Sequence, residues 1–371
     1  MNIDREKDVI DVFNHIVAPS QNDTIRKSKA SNFSVLPAIG YAMQTGFAAA
    51  LGANTTFAVK KGRSKISSVV TSITYSQYKQ VIIPLDADIW TADNKYKFVT
   101  DCRYMKYPSV TYGLGPQTKI SDGYSIDFNY LKIHQTILRG ITQNFFAGLG
   151  YFYDHFWKVS EIGLAPNVIT DFQQYGITKT VNSSGIAFRA LYDSRDNPIN
   201  TQIGSYVNVI FKPDFMFLGS DNNDKSLQFE IRKFIHLPAR SKNVLAIWSY
   251  NWLSPGAARP PYLMLPSTGW DDLFNTGRGY IQGRYREREL VYLETEDRFL
   301  ILKNGLVGGV VFVNAQSVGR QLIKQSPALA FGAGVGLRIK LNKFSGTNLC
   351  IDYGFGSNGS RGLAINLGEI F

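Results

Sequence analysis

The sequence has few of the residues on which small secreted domains and metal proteins depend. Of its 371 residues only two are cysteine, Cys102 and Cys350, and neither belongs to a Cys-x-x-Cys or His/Cys cluster. We therefore predict no disulfide, because the two lie on strands far apart in order, and no metal site. Charged residues make up only 19%, below the quarter or so that is usual in soluble domains.

Long apolar runs are also scarce. One uncharged stretch, 35–52, is long enough for a membrane helix. It contains Pro37 and several glycines, however, and it lies inside a pattern of period two, so we expect strands there.

Motifs for catalysis and nucleic-acid binding are missing. There is no Gly-x-Ser-x-Gly, no His-Glu-x-x-His and no phosphate loop, so we expect neither an enzyme nor a cofactor. The net charge of +11 comes without a recognition helix or zinc-finger spacing, and we expect no nucleic-acid partner. Basic loops that face anionic lipid are a better explanation of this positive net charge. The run 221–224 (Asp-Asn-Asn-Asp) has the chemistry of a calcium loop, but such runs are more often plain loops.

Aromatic residues and glycine are abundant. Aromatics reach 13%, there are 33 glycines, and the mean hydropathy is near neutral at -0.12. This composition is typical of a β-rich chain with one wet face.

The N-terminal region, 1–32, differs from the rest. Its first residues are too charged for the core of a signal peptide, so for an exported protein we expect a mature form with a replacement methionine. Apolar residues then recur at helical spacing until Pro19. They are Val9, Phe13, Ile16 and Val17. The pattern predicts one amphipathic helix within 4–17. If the rest of the chain forms a membrane barrel, we expect this helix to lie against the barrel's periplasmic mouth, to plug it, or to rest on the membrane surface.

From 33 to 371 the period changes to two. We count sixteen strands of about ten residues, joined by alternating short and long connections. This predicts an all-β membrane protein, a 16-stranded antiparallel transmembrane β-barrel, with both termini on the side of the short turns. In this barrel class that side is the periplasm.

The C-terminal strands show the alternation most clearly. Apolar residues occupy one face and charged residues the other, so we expect Arg338 and Asp352 to point into the lumen. The last strand is predicted to run over 361–371 with Phe371 on the outer face. Glu369 shares that face, and we expect it at the periplasmic rim, where water reaches its carboxylate.

Charged residues also concentrate on one face of an earlier strand. Glu294 and Glu296 share that face, and Asn314 lies on the inward face of the next strand. The long connection before them contains Arg278 between two glycines. If this loop folds into the lumen, the guanidinium reaches the glutamates and engages them with paired hydrogen bonds.

Several motifs together resemble the BamA/TamA superfamily of outer-membrane assembly and translocation proteins, the bacterial surface antigen family. Arg278-Gly279-Tyr280 is similar to its Arg-Gly-Phe/Tyr signature in the sixth extracellular loop. The segment 193–198, with Asp193, Arg195, Asp196 and Pro198, is similar to its Asp-x-Arg-Asp-x-Pro periplasmic turn. The penultimate strands around 334–338 and 349–354 also match, and the resemblance covers roughly 33–371.

Three features depart from the family pattern. The aspartate that usually meets the loop arginine is Asn314 here, so Glu294 or Glu296 must supply the partner or the contact is weaker. Position 369 is Glu, where an aromatic is common. Only about 32 residues precede the first predicted strand, so the chain resembles a minimal form that lacks the periplasmic POTRA repeats.

The resemblance implies a function at a seam between the first and last strands. Relatives open this seam to template a client strand by strand addition. Here it would join 33–42 to 361–371, with glycines that leave it lightly packed. The predicted seam residues are Gly40, Gly362, Gly368 and Phe371.

The implied location is the bacterial outer membrane, and the implied partners are its lipid, client outer-membrane proteins, or a separate periplasmic protein. We expect a monomeric barrel. The alternative is a passive pore or structural barrel, because a sixteen-strand circumference is wide enough for a channel.

Overall fold

The computed structural model describes residues 6–9, 11, 31–60, 65–164, 167–176, 178–237, 243–322 and 328–371. Over these residues the chain forms one antiparallel sheet that closes on itself into a barrel. Every strand pairs with its neighbours in the chain, and the last strand returns to the first.

The described residues form sixteen barrel strands. They are β1 (Ser31–Ala42), β2 (Gly46–Ala58), β3 (Ile66–Ser76), β4 (Val81–Trp90), β5 (Tyr96–Lys106), β6 (Tyr124–Gly140), β7 (Phe145–Ile162), β8 (Thr180–Asp193), β9 (Gly204–Pro213), β10 (Lys225–His236), β11 (Val244–Leu253), β12 (Glu289–Leu300), β13 (Val307–Gly319), β14 (Ala330–Asn342), β15 (Thr347–Gly356) and β16 (Arg361–Leu367). A short piece, Ser109–Thr111, pairs with β6 beyond the end of β5 and continues that strand. The predicted count of sixteen antiparallel strands is confirmed.

Helical structure is sparse. The connections contain the five-residue helix α1 (Asp171–Tyr175) and four single 3-10 turns, Ile120–Asp122, Met216–Leu218, Tyr262–Met264 and Ser357–Gly359. Within the ranges that the structure describes, no helix is long and apolar enough to cross a membrane. The uncharged stretch 35–52 forms parts of β1 and β2.

The predicted N-terminal helix receives no support. Phe13, Ile16 and Val17 lie outside the described residues, and Val9 is described with an exposed side chain. The described part of this region, 6–9 and 11, contacts the barrel through its acidic residues.

Side chains alternate between the two faces of the sheet because the strand period is two. On β13, for example, Phe312 and Asn314 are buried inside, whereas Val311 and Val313 are exposed on the outer face. The interior is packed rather than open, because the long connection 254–288 between β11 and β12 folds into it. We call this segment the lumen loop.

The prediction for the last strand was wrong at its end. β16 stops at Leu367, and Gly368 adopts a left-handed φ of +87° that breaks the alternation. Beyond it the chain turns into the lumen, where Ile370 and Phe371 are only 1% and 5% exposed. The Phe371 ring stacks on Trp248 at a centroid distance of 5.1 Å. Burial of two large apolar side chains favours this inward course.

Candidate functional site

The tip of the lumen loop lies flat against the barrel wall. Gly277 and Gly279, on either side of Arg278, have positive φ values of +80° and +93°, which only glycine adopts without strain. A Cβ on Gly279 would lie 2.9 Å from the carbonyl carbon of Phe355, and one on Gly354 would lie 2.6 Å from the Gly279 nitrogen. Backbone therefore packs on backbone, and a side chain at either position would lift the tip off the wall.

Arg278 meets three carboxylates. Its Nε donates to Glu294 Oε1 at 3.0 Å, Nη2 donates to both Glu294 and Glu296, and Nη1 donates to Asp352 Oδ2 at 3.3 Å. The guanidinium also lies 3.7 Å from the centroid of the Phe312 ring. A buried charge is stable only when it is paired and fully hydrogen-bonded, and this environment meets both conditions. Burial lowers the pKa of Arg278, but the three carboxylates more than offset it and hold that pKa above its ordinary value.

Asn314 contacts the loop backbone as well as a glutamate. Its Nδ2 donates to the carbonyl oxygen of Arg278 at 3.0 Å and to Glu294 Oε2 at 3.4 Å. Both partners are acceptors, so an amide nitrogen suits this position and a carboxylate does not. The charged partners of the arginine are Glu294, Glu296 and Asp352.

Tyr280 fixes the other side of the tip. Its hydroxyl donates to the carbonyl oxygen of Phe331 at 2.5 Å and accepts a hydrogen bond from the Ser357 amide at 2.7 Å. Ser360 Oγ donates to the Gly279 carbonyl oxygen at 2.8 Å. These bonds attach the motif to β14 and to the turn that precedes β16.

Six charged side chains form an alternating ring around this tip. In order they are Arg278, Glu296, Arg298, Glu369, Arg338 and Asp352, and the last contacts the first. Arg338 is central to it, with Nε 2.8 Å from Glu369 Oε2 and Nη1 2.6 Å from Asp352 Oδ1. Glu369 is therefore inside the barrel, and the prediction that it lies at an outer rim was wrong. The turn at Gly368 swings its carboxylate from the outer face to the lumen.

The lumen loop also forms an ion pair and a hydrogen bond with the opposite wall of the barrel. The sequence analysis did not predict these contacts. Asp272 Oδ1 lies 2.8 Å from Lys132 Nζ on β6, and the Asp272 carbonyl accepts from Arg103 Nη2 at 2.7 Å. Lys132 lowers the pKa of the Asp272 carboxyl below its usual range. The available signal was two basic residues at inward positions of neighbouring strands, but their partner Asp272 lies 140 residues beyond Lys132 and 169 beyond Arg103 in the chain.

The turn at 193–203 joins β8 to β9 and crosses the barrel end on which the chain termini lie. Arg195 Nη2 lies 2.8 Å from Asp193 Oδ2, and its guanidinium lies over the Tyr206 ring. Asp196 Oδ1 accepts backbone amides within the turn, including that of Gln202 at 3.0 Å. Pro198 lies inside this closed turn.

Two asparagines of the same turn reach across that end. Asn197 Nδ2 donates to the carbonyl oxygen of Ser345 and Asn200 Nδ2 to that of Gly346, at 3.2 and 3.1 Å. The turn therefore bridges to the hairpin between β14 and β15.

The described N-terminal residues bind the same end. Glu6 Oε2 lies 3.0 Å from Lys340 Nζ, Asp11 lies 2.9 Å from Lys343 Nζ, and Asp8 accepts the Lys343 amide. Acidic residues of the described part of this region supply all three contacts.

The seam between β1 and β16 is the weakest junction of the barrel. Within the described residues these strands share one register pair, Tyr41 with Ile365, whereas β1 and β2 pair along their whole length. Glycines lie beside this pair. A Cβ on Gly362 would overlap the Met43 side chain, and one on Gly40 would lie 3.2 Å from the Ile365 carbonyl oxygen.

A cavity of about 630 Å³ remains inside the barrel, between the lumen loop and the walls. Charged and aromatic side chains line it, among them Asp86, Trp90, Lys97, Arg189, Tyr206 and Trp252. Among the described residues, no group of three or more His, Cys, Asp or Glu side chains is placed to hold a metal ion. In the run 221–224, Asp221 Oδ2 accepts the Asn182 amide and Asn223 Oδ1 accepts the Met216 amide, which is the bonding of a plain loop.

The fold and the site together define a sixteen-stranded barrel whose lumen is occupied by a loop anchored through an arginine. Solved structures share this fold. BamA from Haemophilus ducreyi lacking POTRA domains 1-3 is similar over 92% of this chain and 70% of its own, at 17% identity and a TM-score of 0.57. CdiB from Acinetobacter baumannii has a TM-score of 0.58 at 13% identity, and CdiB from Escherichia coli has 0.59 at 10% identity.

The two CdiB structures are similar over 92% and 93% of this chain, but this chain spans only 60% and 63% of the length of those proteins. No family model matches the chain, and no curated protein matches it. At these identities the likeness shows a common fold.

Proposed function

We propose that the chain is an outer-membrane protein of the assembly or translocation type. It acts on outer-membrane protein or lipid clients through the seam between β1 and β16 and through the lumen loop. In this proposal the outer face contacts lipid, and the short turns and both termini face the periplasm. The partners are client chains or a separate periplasmic protein, and the barrel is monomeric.

The observation that carries the proposal is the nearly unpaired seam. A strand edge without a partner exposes backbone donors and acceptors to any extended segment that approaches it. Over Ser31–Gly40 the edge of β1 that faces β16 has no register partner among the described residues. Val35 and Ile39 on this strand are 47% and 77% exposed. The edge therefore offers both hydrogen bonds and apolar contacts to an added strand.

The lumen loop supports the same function over the passive pore. It spans the interior from the ring at β12 and β15 to Lys132 on β6, and so fills space that a diffusing solute would need. The turn at 193–203 and the inward C-terminal residues occupy the end opposite the long loops. A pore would have to move several buried, charge-paired segments to conduct.

Two measurements separate these functions. Single-channel recording of the intact protein in planar bilayers should show no large stable openings; such openings would favour the pore. In cells that depend on this protein, a disulfide across the seam, Tyr41→Cys with Ile365→Cys, should deplete assembled outer-membrane proteins. Full activity of the oxidised form would reject the seam mechanism.

A further inference from the structure

One buried carboxylate inside the barrel has no partner. Asp224 lies at the end of the connection between β9 and β10, and its side chain is only 5% exposed. Its Oδ1 accepts no hydrogen bond, and no basic side chain of the described residues forms an ion pair with the carboxylate. A buried charge without a partner destabilises the folded protein. A cation bound beside Asp224 would remove that cost.

The lysine beside Asp224 is already occupied. Lys212 Nζ donates to Ser183 Oγ at 2.6 Å. It also lies 3.2 Å from Asp214 Oδ1 and 3.4 Å from Asp154 Oδ2, so these oxygens account for all three donors of the ammonium group. Asp214 reinforces the rise in the pKa of Asp224. This part of the wall therefore brings three carboxylates to one lysine.

Two more basic groups are engaged elsewhere. His134 Nε2 lies 3.0 Å from Asp154 Oδ2, and the imidazole stacks on the Phe152 ring. Arg288 attracts Asp224 electrostatically, but its Nη2 donates to three carbonyl oxygens of the lumen loop, within 254–258. Asp224 is thus left without a cation in contact with it among the described residues.

Asp224 lines the cavity of about 630 Å³, whose volume is within the range of sites for small organic ligands. Trp252 and Ser254 line the same part of the wall, because β11 pairs with β10 there. Trp252 Nε1 donates to Ser226 Oγ at 3.1 Å, two residues along the chain from Asp224. This bond fixes the indole close to the carboxylate, and an aromatic ring attracts a cation that approaches its face.

These groups suit an ammonium better than a metal ion. Ca²⁺ takes about 6–8 oxygen ligands and Mg²⁺ requires an octahedral set, whereas Asp224 has one carboxylate neighbour, Asp214, which already contacts Lys212. The surroundings of Lys212 show that carboxylate and hydroxyl oxygens of this wall hold an ammonium group. Asp224 and Ser254 offer the same kinds of oxygen to the cavity.

We propose that the cavity binds a small organic cation, a primary alkylammonium, with Asp224 as the carboxylate that anchors it and Trp252 as the ring beside it. This inference goes beyond the proposed function, because it requires neither an open seam nor a client chain. It also gives a role to a carboxylate that weakens the empty protein. Groups that cost stability are characteristic of binding sites, where the ligand supplies the missing partner.

The test is calorimetric titration of the full chain in detergent with spermidine, at pH 7.5 and physiological salt. With a net charge of +11 the protein repels polyamines in general, so binding requires a local site. Asp224→Asn should lower the affinity by at least about tenfold, the loss expected for one hydrogen bond between charged groups. Asp221→Asn is the matched control, because it removes an exposed carboxylate from the same connection. It should leave the affinity unchanged.

Thermal unfolding separates loss of the site from loss of the fold. Spermidine should raise the Tm of the wild type and of Asp221→Asn but not that of Asp224→Asn. Asp224→Ser repeats the test with a smaller neutral side chain, in case the asparagine variant folds poorly. Equal affinity of the wild type and both Asp224 variants overturns the site. Displacement of spermidine by an equal concentration of Mg²⁺ also overturns it, since the site would then select charge alone.

A second titration identifies the source of the ammonium group. N-acetylated trilysine amide carries as many ammonium groups as spermidine but presents them on a peptide. Tighter binding of spermidine supports a free amine as the ligand. Equal or tighter binding of trilysine, with the same dependence on Asp224, supports a lysine side chain in the same site. Neither readout involves the seam, so loss of spermidine binding leaves the proposed function standing, and failure of the seam experiments leaves this site standing.

Discussion

The side-chain nitrogen of Asn314 lies 3.0 Å from the carbonyl oxygen of Arg278 and donates a hydrogen bond to it. The sequence interpretation treated this asparagine as the loss of a carboxylate from the family pattern. The structure uses it as a donor between two acceptors, the loop carbonyl and Glu294.

Asn314→Asp should therefore destabilise the site, although it introduces the aspartate that is usual at this position in the family that the sequence resembles. An ionised carboxylate would face two acceptors and remove one donor, at a cost of about 1–3 kcal/mol. Thermal unfolding in detergent should show a lower Tm, with a smaller loss at pH 5 than at pH 8, because protonation restores a donor. Asn314→Ser is the control without a charge. An unchanged or raised Tm at pH 8 would contradict the assigned hydrogen bonds.

Removing the arginine should have the largest effect of any change at the tip. Arg278→Ala leaves Glu294, Glu296 and Asp352 buried around an empty position, which costs about 3–5 kcal/mol in comparable buried pairs. Hydrogen exchange should show the lumen loop released, with faster exchange over 268–285. In Arg278→Lys the exchange rate of the loop should lie between those of the wild type and Arg278→Ala. Lysine keeps the positive charge but cannot make the paired hydrogen bonds of a guanidinium. Equal protection in all three proteins would show that the loop is held without Arg278.

Gly279→Ala should detach the tip for two separable reasons. The new Cβ would meet the Phe355 backbone at about 3 Å, and the positive φ would strain the residue. Gly256 is a matched control in the same loop, because its φ is +101° but nothing lies within 4 Å of its Cβ position. We expect Gly256→Ala to cost only the strain, about 1 kcal/mol, and Gly279→Ala clearly more. Similar losses of Tm in the two variants would argue against backbone packing at the tip.

The contribution of the connection between β9 and β10 to the stability of the folded protein should depend on pH. Burial, reinforced by Asp214, raises the pKa of the Asp224 carboxyl to about 6. A carboxyl whose folded pKa is raised stabilises the folded state fully below its unfolded pKa, near pH 4, and that contribution is lost as pH rises through 6. Asp224→Asn resembles the protonated form, so it should raise the Tm at pH 7.5 and change it little at pH 4.5. The opposite order would show that the carboxylate is stabilised as an anion.

The sequence allowed the barrel to be predicted because alternation and turn spacing are local properties. The strand limits were predicted less accurately: we expected strands of about ten residues, whereas β8 has 14 residues, from Thr180 to Asp193. The error at the C-terminus has a physical cause. The alternation fails at its last step, because Glu369 falls on the apolar face and Ile370 on the polar one. We interpreted Glu369 as a rim position, whereas the positive φ of Gly368 ends the strand just before it.

The site was predictable in part for a related reason. The Arg278 motif and the glutamates of β12 lie within 20 residues of one another, so a folded-in loop suggests their contact. Two other ion pairs depend on how distant segments cross the lumen. The lumen loop brings Asp272 to Lys132, and the C-terminal residues bring Glu369 to Arg338. No period or motif encodes those crossings.

The central claim is that clients are assembled through an opening seam, and one reconstitution tests it most directly. Liposomes containing the protein would receive a urea-denatured eight-stranded outer-membrane barrel, and its folding would be followed by heat-modifiable migration. The Tyr41→Cys and Ile365→Cys pair would be compared with Leu293→Cys and Ala315→Cys, a facing pair on β12 and β13 away from the seam. If clients are assembled through the seam, the reduced protein accelerates folding of the denatured barrel. Oxidation then abolishes this acceleration only for the seam pair, and reduction restores it. Equal acceleration by the oxidised and the reduced seam pair would contradict assembly through the seam.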